Sequence, residues 1–290
     1  MNMTKTFLLM LGLTGVLVLL GRLAGGTTGM IMAFGVAVVV NFGSYWFSDK
    51  IVLSMYRAKP VDETQAPELY RIVERLTKQA NLPMPKIYVI PTDTPNAFAT
   101  GRNPQHAAVA VTQGLLQRLG PDEIEGVLAH ELSHVKNRDI LICTIAATLA
   151  FAIMMISNIA RFGMMFGGVA RSDDDEGGGV PALIGMLLAI IVAPIAALLI
   201  QMAISRSREY QADASGAYMS GRPLGLAHAL VKLERDAAAA PMQANQATAH
   251  LFIVNPLSGR QALSLFRTHP ATEDRVARLE AIAQSGGLSA

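Results

Sequence analysis

The chain has 290 residues, enough for one large domain or two ordinary ones, of which 51% are apolar and only 16% charged. A net charge of +2, with no basic patch interleaved with aromatics, excludes a nucleic-acid-binding class. The single cysteine, Cys143, excludes an intrachain disulfide and a Cys-rich metal site, and inside an apolar run it reads as a small buried hydrophobe.

Residues 7–20 form an apolar run between Lys5 and Arg22, short for a membrane span. The length suits the core of a secretory signal, but Arg22 stands where the small residues of a cleavage site belong. Residues 30–47 carry no charge and precede Asp49, Lys50, Arg57 and Lys59. Two such runs joined by a Gly-rich turn at 23–28 predict a membrane hairpin over residues 1–48.

In the polar stretch that follows, Leu69, Ile72, Val73 and Leu76 have the spacing of an amphipathic helix over 67–81, closed by Pro83 and Pro85. Lys86 to Ile90 is short and β-rich. Extended runs at 96–100 and 107–112 around an R-N-P-Q turn predict a hairpin. A helix is expected at 113–119. Another starts at Pro121, with Asp122, Glu123 and Glu125 suited to its positive end.

That second helix shows no obvious stop before residues 140–160, a third charge-free run. The loop at 161–179 holds a D-D-D-E tetrad; adjacent carboxylates read as a solvated loop rather than a calcium site. Residues 180–204 make a fourth run, kinked at Pro194. Helices are expected at 223–235 and 272–282, with a loose link near 237–246. The fold class is a mainly α membrane protein with four transmembrane helices, plus an α+β domain containing a small β-hairpin or sheet.

Lys50, Arg57, Lys59, Arg206 and Arg208 flank the second and fourth runs, which places both termini and both polar segments on the cytoplasmic side. Two crossings separate His134 from Glu209, so the chain returns to the side it left. If the helices are continuous, both residues lie roughly 7–10 Å outside the apolar core, at 1.5 Å per residue.

The chemistry gathers at V-L-A-H-E-L-S-H-V, residues 127–135. On a helix, His130 and His134 share one face and can reach one ion, with Glu131 beside it to handle a proton of bound water. A third ligand must come from elsewhere. Glu209 is the best candidate, and Asp213, four residues on, is placed to accept the other ring N–H of a bound histidine. The plain alternative for both carboxylates is surface pairing with Arg206 and Arg208. His106, His228 and His250 sit in no ligand spacing.

Together with S-R-S-R-E-Y-Q-A-D at 205–213, P-N-A-F-A-T-G at 95–101, and Thr268-His269-Pro270 with Arg275, this pattern resembles the HtpX-type membrane zinc endopeptidases, which are gluzincins. The resemblance implies a zincin-like catalytic domain in two parts, 49–139 and 205–290, separated by a second membrane hairpin at 140–204. It implies one Zn2+ per chain on His130, His134 and Glu209, with Glu131 as the base and Asp213 behind the ligands. Its substrates would be misfolded or damaged membrane proteins, or unfolded polypeptides, cut at the cytoplasmic face of a bacterial inner membrane. That is a stress-linked quality-control role, alongside other membrane proteases and with the lipid bilayer as a partner.

Arg206, Arg208, Tyr210 and His269 are candidates for stabilising the oxyanion, although His269 precedes proline and favours a structural role. Asn96 and Ala97, in the expected hairpin, are candidates for binding substrate as an added strand. Within the same chemistry, a Ste24-like enzyme processing lipidated tails is a rival, for which four spans are too few. From other classes come a scaffold with a structural zinc, which would not need Glu131, and a transporter, which the charge-free spans disfavour.

Overall fold

The structure is a computed structural model that describes residues 2–141, 143–145, 206–239, 253 and 270–286. Helix α1 (Asn2–Met55) folds back on itself. Gly26 adopts a left-handed φ of 59°, and the backbones at Gly21 and Gly29 come too close to admit a Cβ on either. Asn41 Nδ2 donates to the Met10 carbonyl at 3.2 Å and to Thr14 Oγ1 at 2.8 Å. In a straight helix, residues 14 and 41 would stand about 40 Å apart.

Gly26–Met55 is long and apolar enough to cross a membrane, and Met10–Leu19 is a shorter apolar helix. Most of the expected third span and all of the fourth lie outside the described residues.

The sheet has the order β1 (Lys59–Pro60), β2 (Lys86–Ile90), β4 (Ala107–Thr112), β3 (Ala97–Gly101). β3 and β4 form the expected hairpin, Ala99 opposite Val109, while β2 runs parallel to β4. Among the described strands β3 is therefore at the edge, and every one of its residues is buried. Against the sheet pack α2 (Pro67–Ala80) and α4 (Pro121–Lys136), with the short α3 (Gln113–Arg118) between β4 and α4. Thr112 Oγ1 caps α3 by accepting from the Leu115 N–H at 3.1 Å. One apolar core joins Leu69, Val73 and Leu76 of α2 to Val109 and Val111 of β4 and to Val127, Leu128 and Leu132 of α4. Leu226 and Leu230 of α6 (Pro223–Ala239) close it from the other side. Helices α5 (Arg206–Ser220) and α7 (Thr272–Gln284) complete the described α-helices, and a short 3-10 turn, Pro104–His106, links β3 to β4.

One expectation is corrected. The His-pair helix does not run on into residue 140: it ends at Lys136, with Arg138 left-handed at φ 59°. The Asp139 N–H bonds the His134 carbonyl at 2.9 Å and the Arg138 N–H bonds that of Val135 at 3.1 Å. This pair of bonds is a Schellman stop, which satisfies carbonyls that would otherwise be orphaned. It removes the continuous helix on which the height of His134 above the membrane was reckoned.

Candidate metal centre

Helix α4 presents His130 and His134 one turn apart, with their Nε2 atoms 3.2 Å from each other. Helix α5 crosses beside them. Gly216 permits that crossing, because a Cβ there would sit 2.9 Å from the backbone nitrogen of His130. The close approach carries Glu209 to the pair: one oxygen is 3.5 Å from His134 Nε2, the other 3.7 Å from His130 Nε2. The ligand atoms of all three residues lie within 4.8 Å of one another.

Each imidazole is backed by a carboxylate. Asp213 Oδ1 is 2.9 Å from His130 Nδ1, and Asp139 Oδ2 is 3.5 Å from His134 Nδ1. Asp213 is itself gripped by Arg275, which donates from Nε at 2.9 Å and from Nη2 at 2.7 Å. Burial works to raise the Asp213 pKa, but the guanidinium outweighs it and, with the bond to His130, holds the carboxyl at about 2. An ionised Asp213 needs a donor opposite it, so the His130 proton belongs on Nδ1 and the Nε2 lone pair faces the cluster. For His134, burial would lower the pKa; the contact with Asp139 and the charges of Glu209 and Glu131 overcome it and push the ring to about 9.

These residues fit a divalent ion. Two nitrogen ligands at about 2.0–2.1 Å in a tetrahedron are about 3.3 Å apart, close to the spacing found here. Two imidazole nitrogens and a carboxylate, converging in a buried site with one turn of helix between the histidines, are a donor set suited to zinc. Glu131 stands next to this set and is not part of it: its Oε2 accepts from the Ala99 N–H of β3 at 3.0 Å.

Residues 63–283 match the sequence profile of Peptidase family M48. The chain belongs to family M48. It is a metallopeptidase, as the motif pattern indicated.

Relatives of this M48 peptidase named Protease HtpX homolog match it over nearly the full length. The protein from Desulforapulum autotrophicum is 57% identical over 285 residues, covering 98% of this chain and 91% of the relative. That from Pyrococcus furiosus is 58% identical over 285 residues, covering 98% and 97%. Among solved structures, S. mikatae Ste24p is similar in fold, with a TM-score of 0.54 at 21% identity, over 96% of this chain and 65% of that one.

The other described candidate residues of this M48 chain lie outside the three-residue cluster. Arg208 turns to Asp139, 3.9 Å from it, and Arg206 is exposed. The Tyr210 ring lies under the Arg278 guanidinium at 3.9 Å. His269 lies outside the described residues. Asn96 heads β3, its N–H bonded to Thr112 Oγ1 at 2.8 Å and its Oδ1 accepting from the Ile253 N–H at 3.3 Å. Ala97 is buried in β3.

Sequence reasoning missed Asp139 as a partner of His134 and gave Arg275 no role. On a continuous helix a residue five positions on is turned about 140° away, so no periodicity points to Asp139. For Arg275 the available signals were its place in the resemblance pattern and its position in an amphipathic helix, where an arginine ordinarily reads as solvent-facing.

Proposed function

We propose that this chain is a membrane-integrated zinc endopeptidase that cuts misfolded or damaged membrane proteins at the cytoplasmic face, with four spans and both catalytic segments on that side. The observation that carries the reading is the joint placement of Glu131 and Ala99. The carboxylate beside the His130–His134–Glu209 cluster is hydrogen-bonded by the edge strand of the sheet. A base and a strand able to seat a peptide therefore share one position.

His130, His134 and Glu209 would hold one zinc. When bound, zinc supplies Lewis-acid polarisation of the scissile carbonyl and lowers the pKa of water to about 7. Glu131 Oε1 or Oε2 accepts the proton of the attacking water and returns it to the leaving nitrogen. The Ala99 N–H fixes the direction of that carboxylate. Asp213 and Asp139 keep both imidazoles turned with Nε2 toward the cluster.

Residues alternate along β3, so Ala97 projects its N–H and C=O to the same side as the Ala99 N–H, away from β4. This edge supports addition of an extended substrate segment, antiparallel or parallel, by backbone bonds. The apolar helices of α1 support delivery of such segments from membrane proteins.

The test uses full-length protein, purified in detergent, stripped of metal, and reloaded with zinc, on an unfolded membrane-protein substrate. Cleavage that depends on zinc, and that Glu131→Gln loses while still binding zinc, is the expected result. Zinc binding by both proteins with no cleavage by either would overturn the reading in favour of a structural metal.

A further inference from the structure

Arg275 is 1% exposed, the largest fully buried side chain among the described residues. A guanidinium out of water is costly unless every face of it finds a partner. Here Nε and Nη2 form a two-pronged bond to both oxygens of Asp213. Nη1 points the other way and donates to the Ile253 carbonyl at 3.1 Å. The fork on Asp213 and the Nη1 bond to Ile253 lead to different parts of the site.

The first branch runs from Asp213 Oδ1 to His130 Nδ1 at 2.9 Å, and Arg275 Nη2 itself comes to 3.4 Å from that ring nitrogen. The second runs from Ile253, whose N–H donates to Asn96 Oδ1 at 3.3 Å. Asn96 is locked to Thr112 by two bonds, its own N–H to Oγ1 at 2.8 Å and the Thr112 N–H to its carbonyl at 2.9 Å. Asn96 immediately precedes β3, the strand whose Ala99 N–H holds Glu131. One side chain of α7 thus touches both the chain of contacts behind His130 and the chain that seats β3. A second contact, Arg278 over Tyr210, fastens the same helix to α5 three residues later.

We propose that Arg275 is a positioning residue that sets the orientation of His130 and the seat of strand β3 together. The inference rests on the reading of His130 as a metal ligand. A guanidinium is needed because its planar fork bonds both Asp213 oxygens while a third nitrogen reaches Ile253; an ammonium is a point donor and cannot span them.

Zinc affinity of the full chain in detergent, read by competition with a chromophoric chelator, and the visible spectrum of the cobalt-loaded protein test this directly. Loss of zinc binding in His134→Ala establishes the underlying metal site. Arg275→Lys should then weaken zinc by about 10- to 100-fold, the range for losing a residue that orients a ligand, and alter the cobalt bands. In cleavage assays it should lower kcat and raise KM together. Asn96→Ala, which cuts only the strand branch, should raise KM and keep wild-type zinc affinity.

Arg275→Lys should add little to the zinc loss of Asp213→Asn, because both break one chain of contacts. Where Arg275→Lys proves unstable, Arg275→Gln carries the same expectation. In the unmodified chain, zinc should slow amide exchange at Ile253 and across α7, which contain no proposed ligand. Wild-type zinc affinity and cobalt spectrum in the folded Arg275 variants would overturn the proposal while leaving the metal site intact. So would exchange at Ile253 and α7 that zinc does not change.

Discussion

Asp139 Oδ2 lies 3.5 Å from His134 Nδ1, and the left-handed residue between them, Arg138 at φ 59°, is what brings it there. The stop of α4 therefore gives His134 a carboxylate partner on the ring nitrogen that faces away from Glu209. Asp213 does the same for His130. Asp139→Ala should weaken zinc binding by about 10-fold and Asp213→Asn by about 10- to 100-fold, the larger loss going with the shorter contact. Chelator competition on full-length protein checks both.

Zinc uptake should release a proton near neutral pH. In the metal-free chain the His134 ring is pushed up to about 9, so below that pH a proton occupies the nitrogen proposed to bind the metal. Apparent affinity should rise about tenfold per pH unit up to about pH 9 and then level off. Calorimetric titrations at pH 7, in buffers of different ionisation enthalpy, should show about one proton released. The same raised pKa stabilises the metal-free fold below the ordinary histidine range, and this is lost as pH rises through 9.

Acid should weaken the metal-free fold through Asp213. Its folded pKa of about 2 lies below the ordinary value of 3.8, so its contribution is present above about pH 4 and lost as pH falls toward 2. The contribution is about 2 kcal/mol at 1.36 kcal/mol per pKa unit. The unfolding midpoint of the metal-free chain should fall across that window. In Asp213→Asn this acid-dependent part of the fall should be absent.

Gly216→Ala should damage the proposed metal site without altering a proposed ligand. The added Cβ meets the His130 backbone at 2.9 Å, so α5 must move off α4 and take Glu209 and Asp213 with it. A cost of about 1–3 kcal/mol in stability is expected, as for other overpacked contacts. Zinc affinity should drop in parallel. Ser215→Ala on the same helix serves as a control and should leave zinc affinity unchanged.

Proline substitutions in β3 should separate binding from chemistry. Ala97→Pro removes an N–H on the side of β3 away from β4, which pairs with no other described strand, and should raise KM several-fold with little change in kcat. Ala99→Pro removes the bond to Glu131 and should lower kcat. Steady-state kinetics on one peptide substrate distinguish the two.

Local patterns in the sequence carried much of the architecture. The helix predicted at 67–81 is Pro67–Ala80, and the expected hairpin is β3 and β4. Both depend on periodicity that neighbouring residues express by themselves. The end of α4 was not legible, because Arg138 is a poor announcement of a left-handed cap that is usually glycine. The sheet order was not legible either. Parallel pairing of β2 with β4 joins strands that have another strand between them in the chain, and this places β3 at the edge.

That His130 shares a helix face with His134, and Glu209 with Asp213, each pair i and i+4, followed from the sequence alone, since helical geometry relates such residues wherever the helix lies. Only the tertiary structure decided that α5 meets α4 at His130, that Asp139 turns back to His134, and that Arg275 is buried between Asp213 and Ile253. These contacts follow from packing, from one left-handed residue and from the need to satisfy a charge out of water. None of the three leaves a periodic trace in the chain.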